Sequence, residues 1–269
     1  MNKWAFVNII IFLFFVVIYW FGGKGDYNEL GQNIIYLATP LMSLISGVYA
    51  LFVLGLKGMR ASSIFLIILG LASWFVGEVI WVLYDFILQI DPFPSHADLF
   101  YILGYPLIFA GLIKEVTHAN ISLKKFNLGV LFLLGLVSVL LGSLVLYFGV
   151  YLPLLRQISL LESLVAISYG MGDLILLFLS ILVLIVAREY KEGKLSLPWF
   201  YFFLGLVATL VADISFAIFT KEYELKIPLF KNLLDSLWAL GYLFFGYSLY
   251  KMGSVVRETQ KKLLERVKN

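Results

Sequence analysis

Six carboxylates stand within or at the edges of long apolar runs: Glu78, Asp85, Asp98, Asp173, Asp213 and Asp235. Inserting an ionisable side chain at bilayer depth costs about 2.5–3.5 kcal/mol, so such a residue faces a bundle interior or a cavity. Their spacing groups them with aromatics. Trp74, Glu78, Trp81 and Asp85 share one helical face at i, i+4, i+7 and i+11. Asp98, Tyr101 and Tyr105 follow i, i+3 and i+7, and Asp235, Trp238 and Tyr242 repeat that spacing. Asp213 stands with Phe216 and Thr220, and Tyr169 with Asp173. Acid–aromatic walls suit organic cations through charge and cation–π attraction, and they also suit lipid headgroups. Three uses fit: hydrogen-bonded staples between helices, ligand binding, and proton or ion handling. These twelve residues (the six acids with Trp74, Trp81, Tyr101, Tyr105, Trp238 and Tyr242) form the candidate ligand-binding set. All are expected to converge on one cavity.

Two of the acids have a plainer use. Asp91-Pro92 and Phe93-Pro94 make a stiff turn, because proline fixes its own φ and biases the preceding residue away from helix. Ser95 then caps the next helix, with Asp98 three residues on in a capping-box arrangement. Asp98 and, by analogy, Asp235 therefore read as N-terminal helix carboxylates, which the helix dipole favours. Glu78 and Asp213 have no such role and are the stronger site residues.

The elements that carry these residues are membrane spans. Of 269 residues, 62% are hydrophobic and only 14% charged, with a mean hydropathy of +0.96. Soluble domains are nearer a quarter charged. The fold class is all-α, a polytopic membrane helix bundle. Eight runs match the roughly 17–25 residues a span needs: 4–21, 34–56, 62–88, 97–113, 126–147, 164–187, 199–220 and 235–252. The first is too long for a signal peptide core and lacks a cleavage site, so it reads as an uncleaved helix. Residues 1–252 form one transmembrane domain, and 253–269 a short basic helical tail. Fifteen Lys and Arg fall on one side of these spans and five on the other, which puts both termini in the cytoplasm of a cell-membrane protein.

The chain repeats itself. "LGLASWFVGE" (69–78) aligns with "LGLVATLVAD" (204–213), and "DLFYILGY" (98–105) with "DSLWALGY" (235–242). Glu78 thus matches Asp213, Asp98 matches Asp235, and Tyr105 matches Tyr242. Four helices in each half return the chain to its starting side, so residues 1–115 and 124–252 are parallel repeats around an axis along the membrane normal. Asp173 breaks the symmetry, since its counterpart region is Thr39-Pro40.

Several chemistries are excluded. With no cysteine there is no disulfide, thiolate nucleophile or Cys-based metal site. His96 and His118 are expected in loops, which rules out a bis-histidine haem in the bilayer. No lysine or arginine is expected within a span to neutralise the acids or carry a Schiff base. No phosphate-binding glycine loop, HExxH or GxSxG motif is present. No catalytic residue, metal or cofactor is assigned, and nothing beyond the basic tail suggests nucleic acid.

"GEVIW…DPFPSHADLFYILGYP" (77–106) resembles a prokaryotic eight-helix membrane module found N-terminal to GGDEF, EAL or histidine-kinase domains. The resemblance implies a sensory role at the membrane, with no output domain in this chain. The expectation is a sensor-like module that binds a small or lipidic ligand from the outer side. It would act through a cytoplasmic signalling partner, by way of the tail. The alternatives are a transporter for a cation or small solute, and an intramembrane lipid hydrolase using Glu78 and Asp213 as a pair.

Overall fold

The computed structural model describes residues 3–21, 26–55, 58–118, 159–189 and 195–268, with scattered positions between 129 and 155. The span expected at 126–147 lies largely outside the described residues. Among the described residues all regular structure is helical: α1 (Lys3–Phe21), α2 (Asp26–Leu54), α3 (Met59–Val82), a π-helical turn (Leu83–Leu88), α4 (His96–His118), α5 (Leu160–Glu189), α6 (Ser196–Glu224) and α7 (Pro228–Lys268). Five stretches are long and apolar enough to cross a membrane: Glu29–Leu54, Arg60–Leu88, His96–Thr117, Leu160–Ala187 and Ser196–Glu224. By length and composition these five helices are compatible with a multi-pass membrane protein. In α1 the apolar segment is the shorter Ile10–Phe21. The 235–252 stretch of α7 is not among the five, because Asp235, Lys251 and several Tyr, Ser and Gly residues lower its hydropathy.

Most helix ends lie beyond the apolar runs, because backbone hydrogen bonding rather than hydropathy sets them. The largest difference is in α7. It begins at Pro228, where proline's missing N–H costs nothing at a first helical position. Asp235 is thus two turns inside a helix and is not an N-terminal carboxylate. Lys231 is also on that helix, which corrects the expectation that no basic residue would reach the acids from within one. His96 and His118 are the first and last residues of α4 rather than loop residues.

Neighbouring helices form a ring, α2–α3–α4–α5–α6–α7 and back to α2, with α1 lying outside against α2 and α7. Asn232 Nδ2 donates to the Tyr19 carbonyl (2.6 Å) and Trp20 Nε1 to Ser236 (3.3 Å), which docks α1 on α7. At one end of the ring the interior is filled by Ile64, Ile67, Leu71, Leu176, Phe202 and Phe245. The other end, carrying Asp91, Glu224 and Lys226, remains concave and is here called the mouth.

Two helix pairs meet alike. A Cβ on Gly70 of α3 would lie 2.8 Å from the Gly104 carbonyl of α4, and one on Gly104 3.0 Å from the Gly70 carbonyl. Gly205 of α6 and Gly241 of α7 show the same reciprocal approach, at 3.1 and 3.3 Å. Without side chains at these crossings the backbones come together as small-residue helix contacts do in membranes. The matched glycines are those that the sequence repeat aligns.

Candidate functional site

The concave end holds a cavity of about 850 Å³, within the range of small-molecule sites. Glu78, Asp85, Asp213, Asp235, Trp74, Trp81, Tyr101, Tyr105, Trp238 and Tyr242 all line it. Asp98 and Asp173 do not, so these two depart from the expected convergence. Asp98 is held at the α4 N-terminus, where Ser95 N donates to its Oδ2 at 2.5 Å and the Tyr169 hydroxyl to its Oδ1. Ala97 N in turn donates to Ser95 Oγ at 3.1 Å. The capping arrangement is therefore present and takes one Asp98 oxygen, while Tyr169 takes the other. Tyr169, although on the same helix as Asp173, serves Asp98 instead.

Glu78 and Asp213 sit at mid-depth, each roughly 15 Å from the mouth end of its helix at 1.5 Å per residue. They are gripped in corresponding ways from both sides of the ring. Tyr242 of α7 donates to Glu78 Oε1 of α3 at 2.8 Å. Tyr105 of α4 reaches Asp213 Oδ2 of α6 at 3.5 Å. Each acid thus takes a tyrosine from the opposite helix pair. Each also meets an aromatic of its own pair: Tyr101 lies against Glu78, and Trp238 Nε1 donates to Asp213 Oδ1 at 2.7 Å. Tyr36 of α2 adds a further hydroxyl beside Glu78.

Asp213 also has an acidic neighbour. The Asp173 carboxyl of α5 lies against it and accepts from the Tyr105 hydroxyl at 2.8 Å. Asp173 is 1% exposed, and among the described residues its buried Oδ2 has no donor. The acid pair in the structure is therefore Asp173–Asp213, not Glu78–Asp213. The asymmetry seen in the sequence at Asp173 marks this contact. On the α2 side, Tyr36 stands by Glu78 as Asp173 stands by Asp213.

The mouth is ionic. Lys226 Nζ lies 3.0 Å from both Glu29 Oε1 and Asp85 Oδ1. Lys231 Nζ lies 3.7 Å from Asp85 Oδ2 and 3.5 Å from Asp235 Oδ2. Tyr223 donates to Asp235 Oδ1 at 2.8 Å. Burial works against the Lys226 ammonium, but its bonds to Glu29 and Asp85 outweigh that and raise its pKa above the ordinary lysine value. The π-helical turn delivers Asp85 to this chain of charges, and Gln89 in left-handed conformation (φ 53°) closes it. π-Turns are concentrated at functional sites. Lys226 itself adopts φ 51°.

Between the ionic mouth and the two deep acids stands a ring of aromatics. Trp81 and Phe216 have centroids 6.0 Å apart, Phe216 and Trp238 5.8 Å, and Tyr223 and Trp238 6.0 Å. Phe93 packs on Phe216 at 5.4 Å. Tyr36, Tyr223, Lys226 and Lys231 are site residues that residue spacing alone does not mark out. Lys231 came nearest to a signal, since it stands four residues before Asp235. That spacing puts both on one face once the helix starts at Pro228.

Among the described residues no group of three His, Cys, Asp or Glu side chains is disposed to hold a metal ion. No family model matches the chain, and no curated protein or solved structure matches it.

Proposed function

We propose that the chain is a sensor-like membrane module that binds a small or lipidic ligand in this cavity from the outer side and signals through a cytoplasmic partner. The observation that carries the reading is the cavity itself. Among the described residues it lies toward the mouth end of the ring, with Glu78 and Asp213 deep in it and a well-packed apolar plug beneath them. In this reading the chain has eight spans arranged as two parallel four-helix repeats. The reciprocal glycine crossings and the exchanged tyrosine bonds, Tyr242 to Glu78 and Tyr105 to Asp213, support the repeat. The mouth then faces outward and both termini lie in the cytoplasm, as the basic-residue bias favours.

Signal passage has a physical route. α7 carries Asp235, Trp238 and Tyr242 at the cavity and continues unbroken to Lys268. At 1.5 Å per residue this helix is roughly 60 Å long, about twice the hydrocarbon thickness. Its last turns, including Leu263 and Leu264, are exposed. A change at Tyr242 would therefore be conveyed along one rigid element to the tail.

Transport is the second reading, favoured by the repeat and the mid-depth acids. The packed end beneath Glu78 argues for binding over passage. Counterflow in proteoliposomes separates the two. Saturable ligand binding without exchange across the bilayer is expected, and exchange that stops on Asp213→Asn would make the chain a transporter.

A further inference from the structure

The binding reading leaves the ligand's chemistry open, and the cavity constrains it. Glu78, Asp173 and Asp213 are three acids at mid-depth, and no ion pair to a basic residue reaches any of them among the described residues. Of the cations lining the cavity, Lys231 is paired with Asp85 and Asp235, and Lys221 stands exposed near the mouth end of α6, eight residues and so about 12 Å along the helix from Asp213. The Asp173 carboxyl lies against Asp213, and among the described residues its buried Oδ2 has no hydrogen-bond partner. An uncompensated charge there would cost several kcal/mol.

We infer that the cavity takes an organic ammonium cation, its charge over Asp213 and Glu78 and its apolar body among Trp81, Phe216 and Trp238. This rests on the binding reading above and adds the ligand's chemical class. The aromatic rings supply faces that attract such a cation once water is excluded. The protein already makes this contact with one of its own groups. Lys231 Nζ stands 5.0 Å from the centroid of Tyr223, within the same ring of aromatics, while paired with Asp235. A hard metal ion fits less well. It needs six or more oxygen ligands, whereas the tyrosine and tryptophan groups around these acids present hydrogens to them. An ammonium gains from any of these acids that ionises, as a neutral ligand would not.

The ammonium has two natural sources, a soluble amine and a choline or ethanolamine lipid headgroup. The test uses the purified full chain in nanodiscs of phosphatidylglycerol, which offer no ammonium. Thermal unfolding is followed with choline and with 3,3-dimethylbutan-1-ol, its neutral isostere. Choline is expected to raise the midpoint and the isostere not to, with apparent affinity about tenfold weaker in Asp213→Asn. Nanodiscs of phosphatidylcholine form the second arm. If the headgroup is the source, they stabilise the wild type over phosphatidylglycerol, and added choline changes little. Trp81→Leu keeps the acids and removes an aromatic face. It should weaken choline about tenfold or less while keeping the fold, and it serves if Asp213→Asn fails to fold. Equal stabilisation by choline and the isostere would overturn the ammonium inference and leave the binding reading standing. Stabilisation by neither, nor by phosphatidylcholine, would overturn the inference. The binding reading itself falls if no small molecule or lipid copurifies with the wild type.

Discussion

At the scale of single residues, tyrosine hydroxyls are what make buried acids tolerable here. Glu78 has three tyrosines about it, Tyr36, Tyr101 and Tyr242. Among the described residues Asp173 has one tyrosine donor, Tyr105, with the Asp213 carboxyl beside it, and its Oδ2 has no hydrogen-bond partner. Losing a donor to a buried acceptor costs about 1–3 kcal/mol. Tyr105→Phe should therefore lie at the upper end of that range and Tyr242→Phe at the lower, in equilibrium unfolding in detergent. Equal losses would mean that Glu78 gains nothing from its other hydroxyls. The lysines divide in the same way. Lys231 is 13% exposed and its partner Asp235 5%, so Lys231→Met should cost about 3 kcal/mol, as breaking a buried pair does. Lys226 is 44% exposed, and Lys226→Met should cost less than about 1 kcal/mol. Because its folded pKa is raised, the Lys226 contribution is present at neutral pH and is lost only as pH rises through that raised value.

At the scale of elements, the sequence carried the faces of helices better than their ends. Trp74, Glu78, Trp81 and Asp85 do share a wall of the cavity, because a 3.6-residue period is written directly in residue spacing. The start of α7 was not legible in the same way. Pro228 and Lys231 resemble a loop until the helix is seen to use proline as its first residue, and that one misreading hid the partner of Asp235. The pairing of Asp173 with Asp213 was hidden for a different reason. It joins α5 to α6 through tertiary packing, and no local spacing encodes it. Glycine crossings give the element-scale test. Gly70→Ala and Gly205→Ala should each cost about 1–3 kcal/mol by forcing backbones apart. Among the described residues a Cβ on Gly142 would meet Leu174 at 3.9 Å, so Gly142→Ala should change little. Tolerance at Gly70 with intolerance at Gly142 would contradict the packing described.

For the molecule as a whole, the account joins one open cavity, two matched helix pairs and one long helix leading away from them. Its orientation is checked by cysteine labelling in intact cells. A cysteine at Ser95 should react with an impermeant maleimide and one at Lys262 should not, and the opposite pattern would invert the mouth. The central claim, that Glu78 and Asp213 form the floor of a ligand site rather than a staple, is tested most directly by native mass spectrometry of the chain released from its own membrane. The account predicts an adduct on the wild type that is lost in Glu78→Gln and Asp213→Asn, both variants keeping the wild-type far-ultraviolet helical spectrum. An adduct retained equally by all three proteins, or absent from the wild type, would contradict it.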